Sequence, residues 1–273
     1  MRLLAFLILA MTTRTVFGQG TKLPSYSTKL VYAINSADTT QRMLIETYTQ
    51  DSCGNETSYC EFDYIDYNPF ESQRVRAKKI KDMGFREYSY ASKCKPTVVR
   101  ILDKDKKLVN SFLYSYNKDS TIGQLIILNG NGKQHSKFKY EYNNGNLISE
   151  IRYNEEDKPD YITTYKYGNG LKSEETRVDL DMKDTLVCHY TYNFRKELIV
   201  EEWSKLNESG KEFEISFYEN FQKLKEIFMD EDGKVREYRM TYYPNGLKKT
   251  WKQVDYITGN ILTYECYEYE LYK

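Results

Sequence analysis

An all-β chain, built as one antiparallel repeat sheet of consecutive β-hairpins, is predicted by three observations. The first is a period. Following the second aromatic of each Tyr-x-Tyr-like pair gives Tyr64, Tyr90, Tyr116, Tyr142, Tyr167, Tyr192, Tyr218, Tyr243 and Tyr269, which lie 25 or 26 residues apart. A fixed period of this size marks a repeat architecture in which each unit is one supersecondary element. The second is composition: 27 tyrosines stand against 2 tryptophans, and aromatics are 15% of residues, a bias that suits a pleated, half-buried surface. The third is punctuation, because clusters of Asn, Gly and Asp separate alternating segments and supply the left-handed positions that tight hairpins need.

Residues 1–18 read as a secretory signal: Arg2, an apolar run from Leu3 to Met11, and a polar stretch ending in Val16-Phe17-Gly18. The run is about half the roughly 20 residues a spanning helix needs. Cleavage after Gly18 would leave Gln19 first and an exported product, secreted, periplasmic or at the cell envelope. No later stretch is apolar for a spanning length, so no membrane span is expected after cleavage. Residues 19–31 are read as a linker and first strand, and 32–273 as a single β-repeat domain. A first unit longer than the others, with Met43 to Tyr48 as its second strand, has the character of a terminal cap.

Later units follow a two-strand plan. Arg74 to Ile80 and Phe85 to Tyr90 flank a turn at Lys81 to Gly84; Val98 to Leu102 and Leu108 to Tyr116 flank Asp103 to Lys106; Gln124 to Leu128 and His135 to Tyr142 flank Asn129 to Gly132. Further turns fall at 143–146, 168–170, 207–210, 230–233 and 244–246. Residues two apart on a strand share a face, so Phe138, Tyr140 and Tyr142 lie together while Lys137, Lys139 and Glu141 point the other way. Stacked units then form a tyrosine ladder, with Tyr142 and Tyr167 expected to be largely buried by their rings. The adjacent aromatics Phe217-Tyr218 and Tyr242-Tyr243 require a bulge whose position the pattern leaves open.

The Tyr-x-Tyr, Asn-Gly, Leu-x-x-Glu arrangement, as in Tyr140-Glu-Tyr142-Asn-Asn-Gly-Asn-Leu147 and Tyr165-Lys-Tyr167-Gly-Asn-Gly-Leu171, resembles the YD repeats of RHS-type proteins. Tyr242-Tyr-Pro-Asn-Gly-Leu-Lys248 is similar to the core of MORN-variant repeats found in antitoxin-like proteins. The resemblance implies an antiparallel repetitive β-sheet and says little about activity. These units are longer than YD repeats, and the Tyr-Asp dipeptide is missing from the anchors.

Chemistry is sparse. Lys plus Arg and Asp plus Glu both number 40, so no net field steers the chain to nucleic acid. His135 and His189 lack a nucleophile pattern, and Cys188 and His189, as strand neighbours, face opposite ways. Glu150, Glu174 and Glu201 each fall three residues after an anchor leucine and could form a row of acids, but no two are singled out as a glycosidase pair would be. Asp179 to Asp184 and Asp230 to Gly233 lack the full calcium-loop pattern. No cofactor, metal site or catalytic residue is expected. Five cysteines in an exported chain leave at least one outside intramolecular pairing; Cys53 and Cys60 bracket a turn-rich segment and are the expected disulfide. Asn55 and Asn207 are glycosylation acceptors in a eukaryotic source.

The expected function is that of an exported, non-enzymatic binding or interaction scaffold at the cell envelope, with a protein or peptide, or a cell-surface glycan, as partner. Its terminal strands could recruit a peptide edge to edge. The alternatives are an immunity or antitoxin-like binder of a secreted toxin and a hydrolase with an acidic cleft.

Overall fold

The computed structural model describes residues 26–34, 42–64, 78–92, 94–205, 213–229 and 233–271; the signal segment and the turn at 207–210 lie outside them. Eighteen strands follow in order: β1 Tyr26–Ile34, β2 Arg42–Gln50, β3 Glu56–Tyr64, β4 Lys78–Ser92, β5 Lys95–Leu102, β6 Leu108–Tyr116, β7 Ile122–Asn129, β8 Gln134–Asn143, β9 Asn146–Tyr153, β10 Pro159–Gly168, β11 Leu171–Asp179, β12 Asp184–Tyr192, β13 Leu198–Lys205, β14 Phe213–Glu219, β15 Gln222–Met229, β16 Val235–Tyr242, β17 Lys248–Asp255 and β18 Ile261–Leu271. Each pairs antiparallel with the next, and β1 pairs with both β2 and β18. The sheet therefore closes into an up-and-down barrel. Closure removes both edges, which overturns the expectation that terminal strands recruit a peptide: the backbone groups of β1 and β18 are spent on each other, from Tyr26↔Leu271 to Ala33↔Glu265.

Two turn types recur among the described connections, each legible in its residues. Asn144-Gly145 and Asn169-Gly170 have positive φ at both positions, the type I′ geometry whose twist matches the flanking strands. At Asp103, Asn117, Asn129 and Asn193 a type I turn ends on a left-handed residue, with the turn closed by bonds such as Asn129 N to Lys133 O at 2.9 Å and Gly132 N to Asn129 O at 2.9 Å. The Asn or Asp side chain caps the turn from inside; Asp103 Oδ1 accepts from the amides of Asp105 and Lys107. A third I′ turn, Asn220-Phe221, places an aromatic at φ 63°, where a side chain costs roughly 1–2 kcal/mol. Phe221 is 43% exposed and has little packing to lose. Phe221→Gly should raise stability by about 0.5–1 kcal/mol, after the extra entropy of glycine is subtracted; a denaturation midpoint that falls instead would mean the ring is packed more firmly than its exposure indicates.

One predicted hairpin does not exist. Residues 81–84, expected as a turn, run through the middle of the 15-residue β4. Gly84 is there for close approach: a Cβ would sit 2.6 Å from Cε1 of Tyr59, the residue directly opposite on β3. The glycine signal was real, and its cause is a ring packed over the backbone.

Alternation decides the two faces. On β8, Ser136, Phe138 and Tyr140 are buried while His135, Lys139 and Glu141 are exposed. Cross-strand register carries the buried set around the wall, through Val99↔Phe112, Phe112↔Ile127 and Leu125↔Phe138, and these residues form the largest core cluster. In a closed sheet the inner side chains converge. Tyr140 on β8 accordingly feels Tyr165 on β10, and Glu150 on β9 feels Arg177 on β11, in each case across an intervening strand. We take this as the inner face.

Candidate functional site: the inner face and its acid file

The anchor tyrosines are structural staples at one rim of the barrel. Tyr116, Tyr142, Tyr167 and Tyr192 each donate a hydroxyl to the carbonyl 20 residues earlier, at Pro96, Ile122, Leu147 and Lys172, over 2.8–3.1 Å. Each thereby fastens the end of one even strand to the start of the odd strand before it, tying neighbouring hairpins. A register shift precedes every one of them, as between Glu141 and Tyr142 or Thr191 and Tyr192.

The same shift lies between Phe217 and Tyr218 and between Thr241 and Tyr242, which places the bulge that the sequence pattern left open. It also corrects one anchor: Tyr242 holds the equivalent position, bonding Lys223 O at 2.7 Å, while Tyr243 lies past β16 and bonds Tyr267 O. Tyr218 reaches the Glu201 carboxylate instead of a carbonyl. Tyr90 bonds Asp51 Oδ2, and Tyr64 ends β3. Tyr269 packs edge-on against Tyr26 at 5.0 Å and Tyr243 at 6.3 Å, across the β1–β18 seam.

Burial within each pair differs from the expected pattern. Tyr142 and Tyr167 are half-buried, and the deeply buried rings are the first members, Tyr140 and Tyr190, because the second member lies at the rim. Tyr142→Phe should cost about 1 kcal/mol, the net worth of a neutral hydrogen bond, and Tyr142→Ala about 2–4 kcal/mol. Equal denaturant midpoints for the two variants would mean the ring contributes nothing beyond its hydroxyl.

Opposite the first member of each pair stands a file of residues on the odd strands: Val99 faces Tyr88, Leu125 faces Tyr114, Glu150 faces Tyr140, Glu175 faces Tyr165, Glu201 faces Tyr190 and Glu226 faces Ser216. From β9 onward acids replace aliphatics. The predicted row is thus real at Glu150 and Glu201, but its middle member is Glu175. Glu174 points outward and pairs with Lys166 at 2.7 Å, because Leu171 stands opposite Gly168 whereas Leu147 stands opposite Tyr142, so a count of three from Leu171 ends one residue short, on the other face.

The four acids are neutralised unequally. Glu175, 3% exposed, accepts from Lys172 Nζ at 2.8 Å, Arg177 Nε at 2.6 Å and the Tyr190 hydroxyl at 2.8 Å. Burial alone would raise its carboxyl, but Arg177 and Lys172 hold it below the ordinary value. Glu226 is paired with Lys223 at 2.8 Å. Glu201 takes Trp203 Nε1 and the Tyr218 hydroxyl, both at 2.7 Å.

Among the described residues, the Glu150 carboxyl has no hydrogen-bond or ion-pair partner within the chain. Burial pushes it up to about 7, with Glu175 raising it further and Arg177 and Arg152 opposing. With an unfolded value near 4.3, the folded state holds the extra proton between roughly pH 4.5 and 7. Glu150 therefore favours folding below that window and loses the contribution as pH rises through it, by about 4 kcal/mol in all. Glu150→Gln should flatten that part of the stability–pH profile; identical wild-type and variant profiles would show that Glu150 titrates normally.

Other expected sites resolve simply. Cys53 is bonded to Cys94, with Cα atoms 5.3 Å apart, and Cys60 lies outside any disulfide, so the expected Cys53–Cys60 bridge is incorrect. Cys60 stands within β3, opposite Thr47, whereas Cys53 and Cys94 sit at the tips of adjacent hairpins on the stapled rim. Cys188 is buried and His189 exposed, on opposite faces as expected. Asp179 Oδ1 accepts from the amides of Asp181 and Met182, which is turn capping. Asn55 bonds Asp51 and Tyr90. A shallow cleft of about 180 Å³ at the other rim is lined by Tyr161, Arg177, Asp179, Asp184, Leu186 and Lys205.

Fold and inner face together define a closed antiparallel β-barrel of tandem hairpins with a polar, tyrosine-rich interior. No family model matches the chain, and no curated protein does. Similar solved structures include a porin-like protein from Bacteroides uniformis, 13% identical with a TM-score of 0.45, over 91% of this chain and 99% of that one. A porin-like protein from Bacteroides vulgatus is 7% identical with a TM-score of 0.32, over 90% and 99%. The Photorhabdus luminescens Tc holotoxin pore is 8% identical with a TM-score of 0.28, over 85% of this chain and 15% of that one.

Proposed function

We propose that this protein is an exported, non-enzymatic β-barrel of the cell envelope that binds a ligand on its inner face. The observation that carries the reading is the change in the inner file from Val99 and Leu125 to Glu150, Glu175, Glu201 and Glu226. A wall that needed only stability would keep aliphatics throughout, since buried ion pairs seldom outperform them. Acids interleaved with tyrosines offer charge, hydrogen bonds and aromatic faces at once. In support of a binding rather than a catalytic role, Glu175, Glu201 and Glu226 are already committed to partners within the chain.

Charge on the outer face supports a barrel that is not embedded in lipid. Lys225, Arg239 and Lys252 lie directly opposite one another on β15, β16 and β17, near mid-strand. On a lipid-facing wall each would cost roughly 2–4 kcal/mol at the bilayer midplane. Kinship of the repeat to YD or MORN-variant repeats belongs to the same proposal, and rests on the shared Tyr-x-Tyr, Asn-Gly and Leu-x-x-Glu hairpin.

Affinity capture with the exported protein, in parallel with Glu201→Gln/Glu226→Gln and Lys139→Glu variants, tests the reading. Loss of the captured partner with the inner-face variant alone is expected. Loss with Lys139→Glu alone would place the binding surface outside and overturn it.

A further inference from the structure

Two consecutive units of the wall place three residues at equivalent positions beside the same pair of tyrosine rings, with different outcomes. In the unit of β10 and β11, Lys172, Glu175 and Arg177 stand at positions i−3, i and i+2 of the acid file. The Lys172 ammonium lies 2.8 Å from Glu175 Oε2, 4.1 Å from the centre of the Tyr190 ring and 5.4 Å from that of Tyr165. It is an ammonium held by one carboxylate and two tyrosine faces, the combination that recognises organic cations.

In the preceding unit, of β8 and β9, the corresponding residues are Leu147, Glu150 and Arg152. Tyr140 faces Glu150 as Tyr165 faces Glu175, and Tyr165, on the strand beyond, corresponds to Tyr190. The acid and both rings are retained, but both cationic partners are gone. Leu147 replaces the lysine and has no charge to offer. Arg152 is turned away and held by Asp160 in a two-point bridge of 2.9 and 3.0 Å, whereas Arg177 is bonded to Glu175. Glu150 is half-buried rather than sealed, and so can be approached from the interior.

We propose that Glu150, with the rings of Tyr140 and Tyr165, is a binding site for the primary ammonium group of an external ligand, such as a lysine side chain or an alkylamine, held as the neighbouring unit holds Lys172. The chain supplies its own reference complex: Lys172 on Glu175 shows what the constellation accepts, and the substitution at 147 removes the internal occupant. The raised affinity of Glu150 for protons agrees with a carboxylate short of a cation. Groups bearing on it from the packed strands are Arg152 on its own strand, Tyr140 and Tyr142 on β8, Tyr165 on β10, and Glu175 and Arg177 on β11. This assigns a ligand chemistry to the inner face proposed above and rests on that reading.

The test follows the Glu150 side-chain carboxyl by carbon NMR, in protein labelled at glutamate, while n-butylammonium is added; Glu150→Gln identifies the resonance. The expected result is a saturable shift of that signal and a fall of about one unit or more in its apparent pKa, a ten-fold preference of the cation for the ionised acid. Butan-1-ol, the uncharged counterpart, should do neither. Leu147→Lys should lower the Glu150 pKa without any ligand and abolish the response to butylammonium. An unresponsive Glu150 signal in the wild type would overturn the proposal, as would an equal response to the alcohol, or a Leu147→Lys protein that folds and still binds. Because the titration reports on this constellation alone, its failure leaves capture of larger partners by the barrel to the experiment above.

Discussion

Glu175→Gln should be among the most damaging single substitutions in the protein, costing about 3–5 kcal/mol, because removing one member of a buried charge cluster leaves the others uncompensated. The replacement keeps the shape of the side chain and removes only its charge. Lys172 and Arg177 then remain beside each other without their shared carboxylate, and the Tyr190 hydroxyl loses a charged acceptor. Glu174→Gln, one residue away but on the outer face with a partner in Lys166, should cost under about 1 kcal/mol, as exposed pairs do. Urea unfolding of the two variants reads the difference directly. Equal midpoints would show that the inner cluster is solvated well enough to tolerate the lost charge.

The second large effect belongs to the Cys53–Cys94 bridge. It joins hairpin tips separated by 41 residues, and the chain-entropy model assigns a loop of that length about 4 kcal/mol. Cys53→Ser should lower stability by nearly that amount, while Cys60→Ser should lower it little. The bridge lies on the rim where tyrosine hydroxyls tie later hairpins together, and it makes the corresponding tie between the β2–β3 and β4–β5 tips covalently. Peptide mapping without reduction gives an independent reading: a fragment linking Cys53 to Cys94 is expected, and one linking Cys53 to Cys60 would sink this pairing.

Hairpin succession, the turns at 103–106, 129–132, 143–146 and 168–170, and the common face of Phe138, Tyr140 and Tyr142 were legible in the sequence, because each depends on residues within one unit. An Asn-Gly pair makes its own turn, and alternation assigns a face over one strand. The interior acid file was half legible. Glu150 and Glu201 were in the row, but Glu175 was hidden behind Glu174, since counting from a leucine cannot reveal that Leu171 sits one register position earlier than Leu147, with Lys172 in the place opposite the rim tyrosine. Likewise the choice between Tyr242 and Tyr243 depended on the bulge, and a one-residue slip inverts every side chain beyond it.

The Gly84 glycine was read as a turn because a ring pressing on a backbone leaves the same local mark as a left-handed residue. What brought Cys94 to Cys53, and β1 to β18, was contact between segments far apart in the chain. Neither leaves a trace in spacing or composition. The sequence by itself thus determined the unit and its repetition, through local turn chemistry and period-2 patterning. Only the tertiary structure decided that eighteen such strands meet end to end, because closure is set by twist and register accumulated over the whole sheet. That closure turns one face of an ordinary repeat sheet into an interior, where Glu150 is left without a cation.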